Sequence, residues 1–192
     1  MPRPRLAAIL LACTALLTLC SCLPVPLGNP DKSTAEAKYL GAWTYAEAGQ
    51  TTVVVIRPWD ARTYLVDALI YTGDSSAPVP KIRTTFKGWL TTVKGYPFLT
   101  LQPIDTLSAT PTNTPRKYLI AMLTLEGDQL TGTPLDYQYP KFADIGTATQ
   151  LEKTVADNFD DVKMWVKPIV ATKLNEGANP NIEKLAKLFE TR

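Results

Sequence analysis

The chain has 192 residues, 45% hydrophobic and 20% charged, with 20 Lys and Arg against 18 Asp and Glu. It contains no histidine, which excludes Ser-His-Asp and Cys-His catalysis and every His-bearing zinc site. The near balance of charge gives no electrostatic argument for nucleic acid or for a polybasic membrane patch.

The first element in chain order is a leader. Arg3 and Arg5 form a positive stretch, Leu6 to Leu19 an apolar run, and prolines at 24, 26 and 30 follow at once. Such a run is too short for a spanning helix and reads as a secretory signal. It closes on Leu19-Cys20-Ser21-Cys22, which resembles the lipobox of bacterial lipoproteins: leucine, any residue, a small residue, then cysteine. The resemblance implies cleavage after Ser21 and acylation of Cys22 with palmitate-like chains. It further implies a cell-envelope protein held at the membrane by its N-terminus. Leu23, rather than Asp, follows the acceptor, which in such lipoproteins points to the outer membrane. All three cysteines (Cys13, Cys20, Cys22) lie in this region, so the mature chain is expected to fold without disulfides. Residues 1–21 are thus read as the signal, 22–32 as lipid anchor and Pro-rich spacer, and 33–192 as one domain. A domain of that size can bury its own core.

Ser33 to Tyr39 is expected to form one or two helical turns, with Ser33 as N-cap and Glu36 completing a capping box. Trp43 and Tyr45 open the first strand, Gly49 turns it, and the β-branched run Thr51 to Ile56 is the second, stopped by Pro58. Arg62 to Tyr71 is a third, with Tyr64, Val66, Ala68 and Ile70 on one face. Ile82 to Thr92 alternates: Ile82, Thr84, Phe86, Gly88 and Leu90 on one side, Arg83, Thr85, Lys87 and Trp89 on the other. Lys94-Gly95 turns into Tyr96 to Leu101, and a long Thr- and Pro-rich loop runs from Pro103 to Arg116. Lys117 to Leu125 and Gln129 to Tyr137 pair across the turn Glu126-Gly127-Asp128. Thr147 and Gln150 form a capping box for a helix with Leu151, Val155 and Phe159 at four-residue spacing. Val162 to Val166 is expected as a further strand. Asn179-Pro180 opens a last helix carrying Leu185, Leu188 and Phe189. Seven or eight short strands with local connections define a mainly β, antiparallel architecture.

Gly41-Ala42-Trp43, on the first strand after a short helix, resembles the signature of the lipocalin and calycin barrels. That resemblance implies a single antiparallel lipocalin-like β-barrel of about eight strands with C-terminal helices, and an interior that takes a small apolar ligand. The family's second motif, Thr-Asp-Tyr, has its nearest counterpart in Leu135-Asp136-Tyr137. The arginine that packs over the family's tryptophan has no counterpart legible in the sequence.

Constellations that carry chemistry are sparse, and neither catalytic residues, metal ligands nor a cofactor site is expected. Asp160 and Asp161 are adjacent, point apart, and read as a solvated helix end. Ser75-Ser76 is turn chemistry, and no glycine-rich phosphate loop is present. Trp59, after Pro58, and Trp89, beside Arg83 and Lys87, read as exposed aromatics suited to a rim or partner contact, although the Trp89 side of its strand could equally be the inward face. Lys81, Arg83, Lys87 and Lys94 read as protection of a sheet edge. Two roles stay open for a non-enzyme of this kind. One is a barrel holding a small hydrophobic or lipid-like ligand; the other is a filled barrel whose surface contacts an envelope protein. Nucleic acid is not an expected partner.

Overall fold

The computed structural model describes residues 22–72, 80, 82–104 and 118–174. The leader, the Ser75-Ser76 turn, most of the long Thr-Pro loop and the expected last helix therefore lie outside the described residues. Nine strands are present: β1 (Cys22–Leu23), β2 (Gly41–Glu47), β3 (Gln50–Pro58), β4 (Thr63–Thr72), β5 (Ile82–Val93), β6 (Tyr96–Pro103), β7 (Tyr118–Glu126), β8 (Gln129–Pro134) and β9 (Ile169–Lys173). Strands β2 to β9 pair in order, all antiparallel, and β9 returns to β2, closing an eight-stranded barrel. The expected fold class is thus the observed one. Strand β1 takes up the edge of β7 that β8 leaves free, with Cys22 opposite Leu119.

The alternation in the sequence sets the faces. Ladder partners share a face, so Trp43 with Val54, Ile56 with Val66, Val66 with Phe86 and Tyr64 with Gly88 all point inward. The tight hairpins follow the same local code. Lys94 and Gly95 both adopt positive φ (51° and 85°), the turn whose twist matches the flanking strands.

A second core lies outside the barrel. Its helix, α1 (Ala148–Asp157), precedes β9, and is opened by Thr147, whose side chain accepts from Gln150 N while Gln150 reaches back. Leu151 and Val155 are fully buried against Trp89, Val93, Phe98 and Ile120, the outward residues of β5 to β7. Leu23 and Leu27 belong to this same core. The segment read as a spacer is therefore part of the folded body. The Leu27 carbonyl accepts from Trp89 Nε1 (3.0 Å), Thr100 Oγ1 (3.0 Å) and Thr91 Oγ1 (3.3 Å). Gly28 follows at φ +71°, so close to β5 that a Cβ there would sit 1.9 Å from Thr91 Oγ1; only glycine fits both demands.

Three local expectations are corrected. Ser33 caps no helix: short 3-10 turns occupy Pro30–Lys32 and Ala37–Tyr39, and the Ser33 hydroxyl accepts from Leu90 N (3.0 Å). Val162–Met164 is a 3-10 turn capped by Asp161, and the last strand lies further on, beyond Pro168. Strand β5 lies between β4 and β6, so Arg83 and Lys87 guard no edge; Lys81 lies outside the described residues.

Candidate functional site

The two ends of the barrel differ. At one end the chain before β2 folds across the opening. Tyr39 is buried there, and its carbonyl accepts from Trp43 Nε1 at 3.0 Å. The Tyr64 hydroxyl donates to Glu36 O (3.2 Å) and accepts from Glu36 N (2.6 Å), tying β4 to the same plug. Burial raises the pKa of Tyr39 and of Tyr64 above the usual phenol value. Of the inward residues at this end, Trp43, Ile56, Tyr64 and Val66 are each at most 3% exposed, and Leu90, Leu99 and Leu130 are each 8% exposed. Side chains this close to zero exposure face other atoms rather than a void large enough for water, so this half of the barrel is packed. Lys173, opposite Trp43 in the ladder, holds its Nζ 5.4 Å from the centre of the Trp43 ring. A cation thus covers the tryptophan where the resemblance calls for an arginine. The sequence hid it because the partner is a lysine on a strand more than a hundred residues away.

At the opposite end the described inward positions are mixed: several are partly accessible, whereas Thr52 is buried. The hairpin after Glu47, the end of β4, the start of β5 and the start of β7 converge there. Tyr45, Val54, Ala68, Leu101 and Leu119 point inward, yet all remain partly accessible, and Thr84 is exposed. Accessibility persists over about two inward positions, each about 7 Å along a strand. The walls are aliphatic and aromatic, with threonine hydroxyls as the polar groups. Walls of this chemistry can hold an apolar or amphipathic molecule by exclusion of water. Among the described residues no group of His, Cys, Asp or Glu could hold a metal.

A second concavity lies on the outer wall beside α1. It is a groove of about 420 Å³ lined by Met122, Thr133, Phe159, Val162, Trp165 and Pro168, among others. Phe159 stacks on Tyr96 (4.9 Å between centres) and meets Trp165 edge-on (5.5 Å), so its floor is a packed aromatic cluster. Asp161, next to Val162 in sequence, accepts from Lys163 N (3.0 Å) and the Tyr139 hydroxyl (2.8 Å). These two bonds hold its pKa below the usual carboxylate value.

The singled-out residues separate. Cys22 sits on the rim of the open end through its backbone pairing with Leu119. Trp59 is exposed, as expected, at the closed end in the β3–β4 turn. Trp89 is not: it is 1% exposed, covered by Leu27 and the outer core. Its outward alternation was legible, but the layer that covers it is not local in sequence. Asp160 is exposed, whereas Asp161 is engaged as above. Leu135-Asp136-Tyr137 follows β8, outside the barrel, where Leu135 is buried in the outer core and Asp136 caps a turn through Gln138 N. Sequence reasoning also missed a buried carboxylate. Asp67, on the outer face of β4, is fully buried and is bonded by Arg57, by Arg83 (3.0 and 3.2 Å) and by Thr85 (2.7 Å). Its signal was a polar residue at an outward position on each of three neighbouring strands. The group is a structural tie, since a carboxylate so enclosed presents no free face to a substrate.

No protein-family model matches the chain, and neither a curated protein nor a solved structure is significantly similar to it. The fold and the site define a closed antiparallel β-barrel, plugged at one end, with partly accessible apolar inward positions among the described residues at the other.

Proposed function

We propose that this chain is a lipocalin-like lipoprotein of the bacterial cell envelope, anchored in the outer membrane through acyl chains on Cys22. Its barrel takes a small hydrophobic or lipid-like ligand at the open end, and its role is binding rather than catalysis. The observation that carries this reading is the contrast between fully buried Trp43 and Tyr64 under the plug and the partly accessible inward positions Tyr45, Ala68 and Leu119 at the other end. A barrel needed only as a scaffold gains nothing by leaving inward aliphatic walls accessible, since each accessible wall forgoes burial. Plugging of one end supports it further, because a closed floor turns a barrel into a cup.

A second reading is favoured by a different observation. The packed half of the interior and the aromatic outer groove also suit a protein that contacts an envelope partner through its surface. Native mass spectrometry separates the two. Residues 22–192 carrying Cys22→Ser, purified without detergent, are expected to retain extra mass that lipid extraction removes. Ala68→Trp, which fills the mouth, is expected to abolish that mass and the uptake of added fatty acids. A clean mass with no uptake by the parent chain would refute the ligand reading in favour of the partner one. The chain must begin at residue 22, because a start at Gly28 would delete Leu23 and Leu27 from the core.

A further inference from the structure

The anchor point and the barrel mouth lie on the same rim. Cys22 pairs with Leu119, an inward residue of the open end. Between Cys22 and the folded body there is no free chain: Leu23 is buried, Leu27 is fully buried, and the Leu27 carbonyl accepts three hydrogen bonds. An acylated Cys22 would therefore carry no tether, and it would bring the described part of the rim around it to the bilayer. That rim is apolar on the side facing β7 to β9. The excursion containing α1 leaves the barrel after Pro134 and returns at Ile169, both at the open end. It leaves Val162 82% exposed and Ile169 and Val170 uncovered, beside the part of the groove formed by Met122 and Trp165; the Phe159 part runs down the wall to Tyr96 and Lys94 of the β5–β6 hairpin. Met122 stands three residues from Leu119 on β7, about 10 Å from the anchor pairing. Lys163 and Lys167 are exposed around the same groove, placed to reach headgroups while their stems lie on apolar surface; Lys167 also lies 3.6 Å from Glu47.

From this juxtaposition we propose that the anchored chain rests on the bilayer with the β7–β9 side of its open rim. Val162, Ile169 and Val170 contact lipid, and an apolar ligand passes between the bilayer and the barrel mouth without crossing water. This rests on the anchor reading above, and it deepens the ligand reading by naming the membrane as the ligand's source. Exposed aliphatic side chains gain by transfer into lipid, whereas a mouth turned to water would have to release its ligand into it.

The test uses the chain from residue 22, whose single thiol is Cys22, coupled to a maleimide lipid in vesicles of phosphatidylethanolamine and phosphatidylglycerol. Hydrogen exchange is compared with the same chain free in solution. Exchange across residues 162–171 is expected to slow by about tenfold on tethering, the factor corresponding to burial of one valine side chain. Exchange around Trp59, at the far end, is expected to be unchanged. Val162→Asp, at a position too exposed to affect folding, should remove the slowing, and Trp59→Asp should not. Equal exchange in free and tethered chains, or equal slowing at both ends, overturns the proposal. The mass of the mature chain isolated from cells tests the anchor separately. An unmodified Cys22 overturns the anchor and this proposal together, whereas an acylated Cys22 without slowing overturns only the orientation.

Discussion

The closed and open ends of this barrel are built from the same alternating strands, and they differ in what the chain lays over them. At the closed end the residues before β2 return a carbonyl to Trp43 and two backbone groups to Tyr64, so bulky aromatics are sealed with their polar atoms satisfied. At the open end no described segment does this for Tyr45, Ala68 or Leu119. A period-two pattern thus makes a wall, and whether the wall encloses a core or a mouth is decided by the segments that cross its ends.

The largest expected effect follows from that contrast. Trp43→Ala should destabilise the fold by about 3–5 kcal/mol, the usual cost of deleting a buried aromatic. Tyr45→Ala, two residues along the same face of β2 but partly accessible, should cost about 1 kcal/mol. Urea denaturation of the two variants measures the difference directly. Equal costs would mean that the open end is as tightly packed as the closed one, and the ligand reading would lose its support.

The next effect concerns the outer core. Leu27 has no accessible surface, and it lies in a segment that reads as a spacer. Leu27→Ala should cost about 2–5 kcal/mol and shift Trp89 fluorescence towards that of a wetter indole, because Trp89 would keep its hydrogen bond but lose part of its cover. Retention of full stability would free the anchor segment from the barrel and restore a tether between Cys22 and the domain.

Legibility of the chain followed the range of the interactions involved. Faces of β4 and β5, the hairpin at Lys94-Gly95 and the capping box at Thr147 and Gln150 were readable because alternation, turn geometry and capping are set within a few residues. Strand β9 was not: five residues with two exposed aliphatics carry no pattern, and it exists because β2 and β8 offer it ladders on both sides. For the same reason Trp89 read as exposed, Leu27 as spacer, and Lys173 as nothing in particular. Of the candidate site, the inward residues were legible from alternation. Which of them would be left open depended on the plug, whose residues were read as a helix rather than a lid.

The smallest effect bears on both ends at once, through carboxylates held by backbone amides. Asp60, in the closed-end turn, accepts from Arg62 N and Thr63 N (2.8 Å each), and Asp161, beside the groove, from Lys163 N and the Tyr139 hydroxyl. Their pKa values are lowered, first by the backbone bonds from Arg62 and Lys163 respectively. A carboxylate lowered in the folded state stabilises the fold fully above its unfolded pKa, near 3.9. That contribution is lost as pH falls through the lower folded value. Melting temperature should therefore be flat from neutral pH to about 5 and fall below about 4. Asp60→Asn and Asp161→Asn keep an acceptor for the amide but cannot be protonated, so each should make the acid fall shallower at the cost of some stability near neutral pH. Because Asp161 also orients Tyr139 in the outer core, its variant should flatten the curve more than that of Asp60, whose partners are confined to one surface turn. The reverse order would place the acid-sensitive tie at the closed end and make the plug, rather than the rim, the first part of the barrel to loosen in acid.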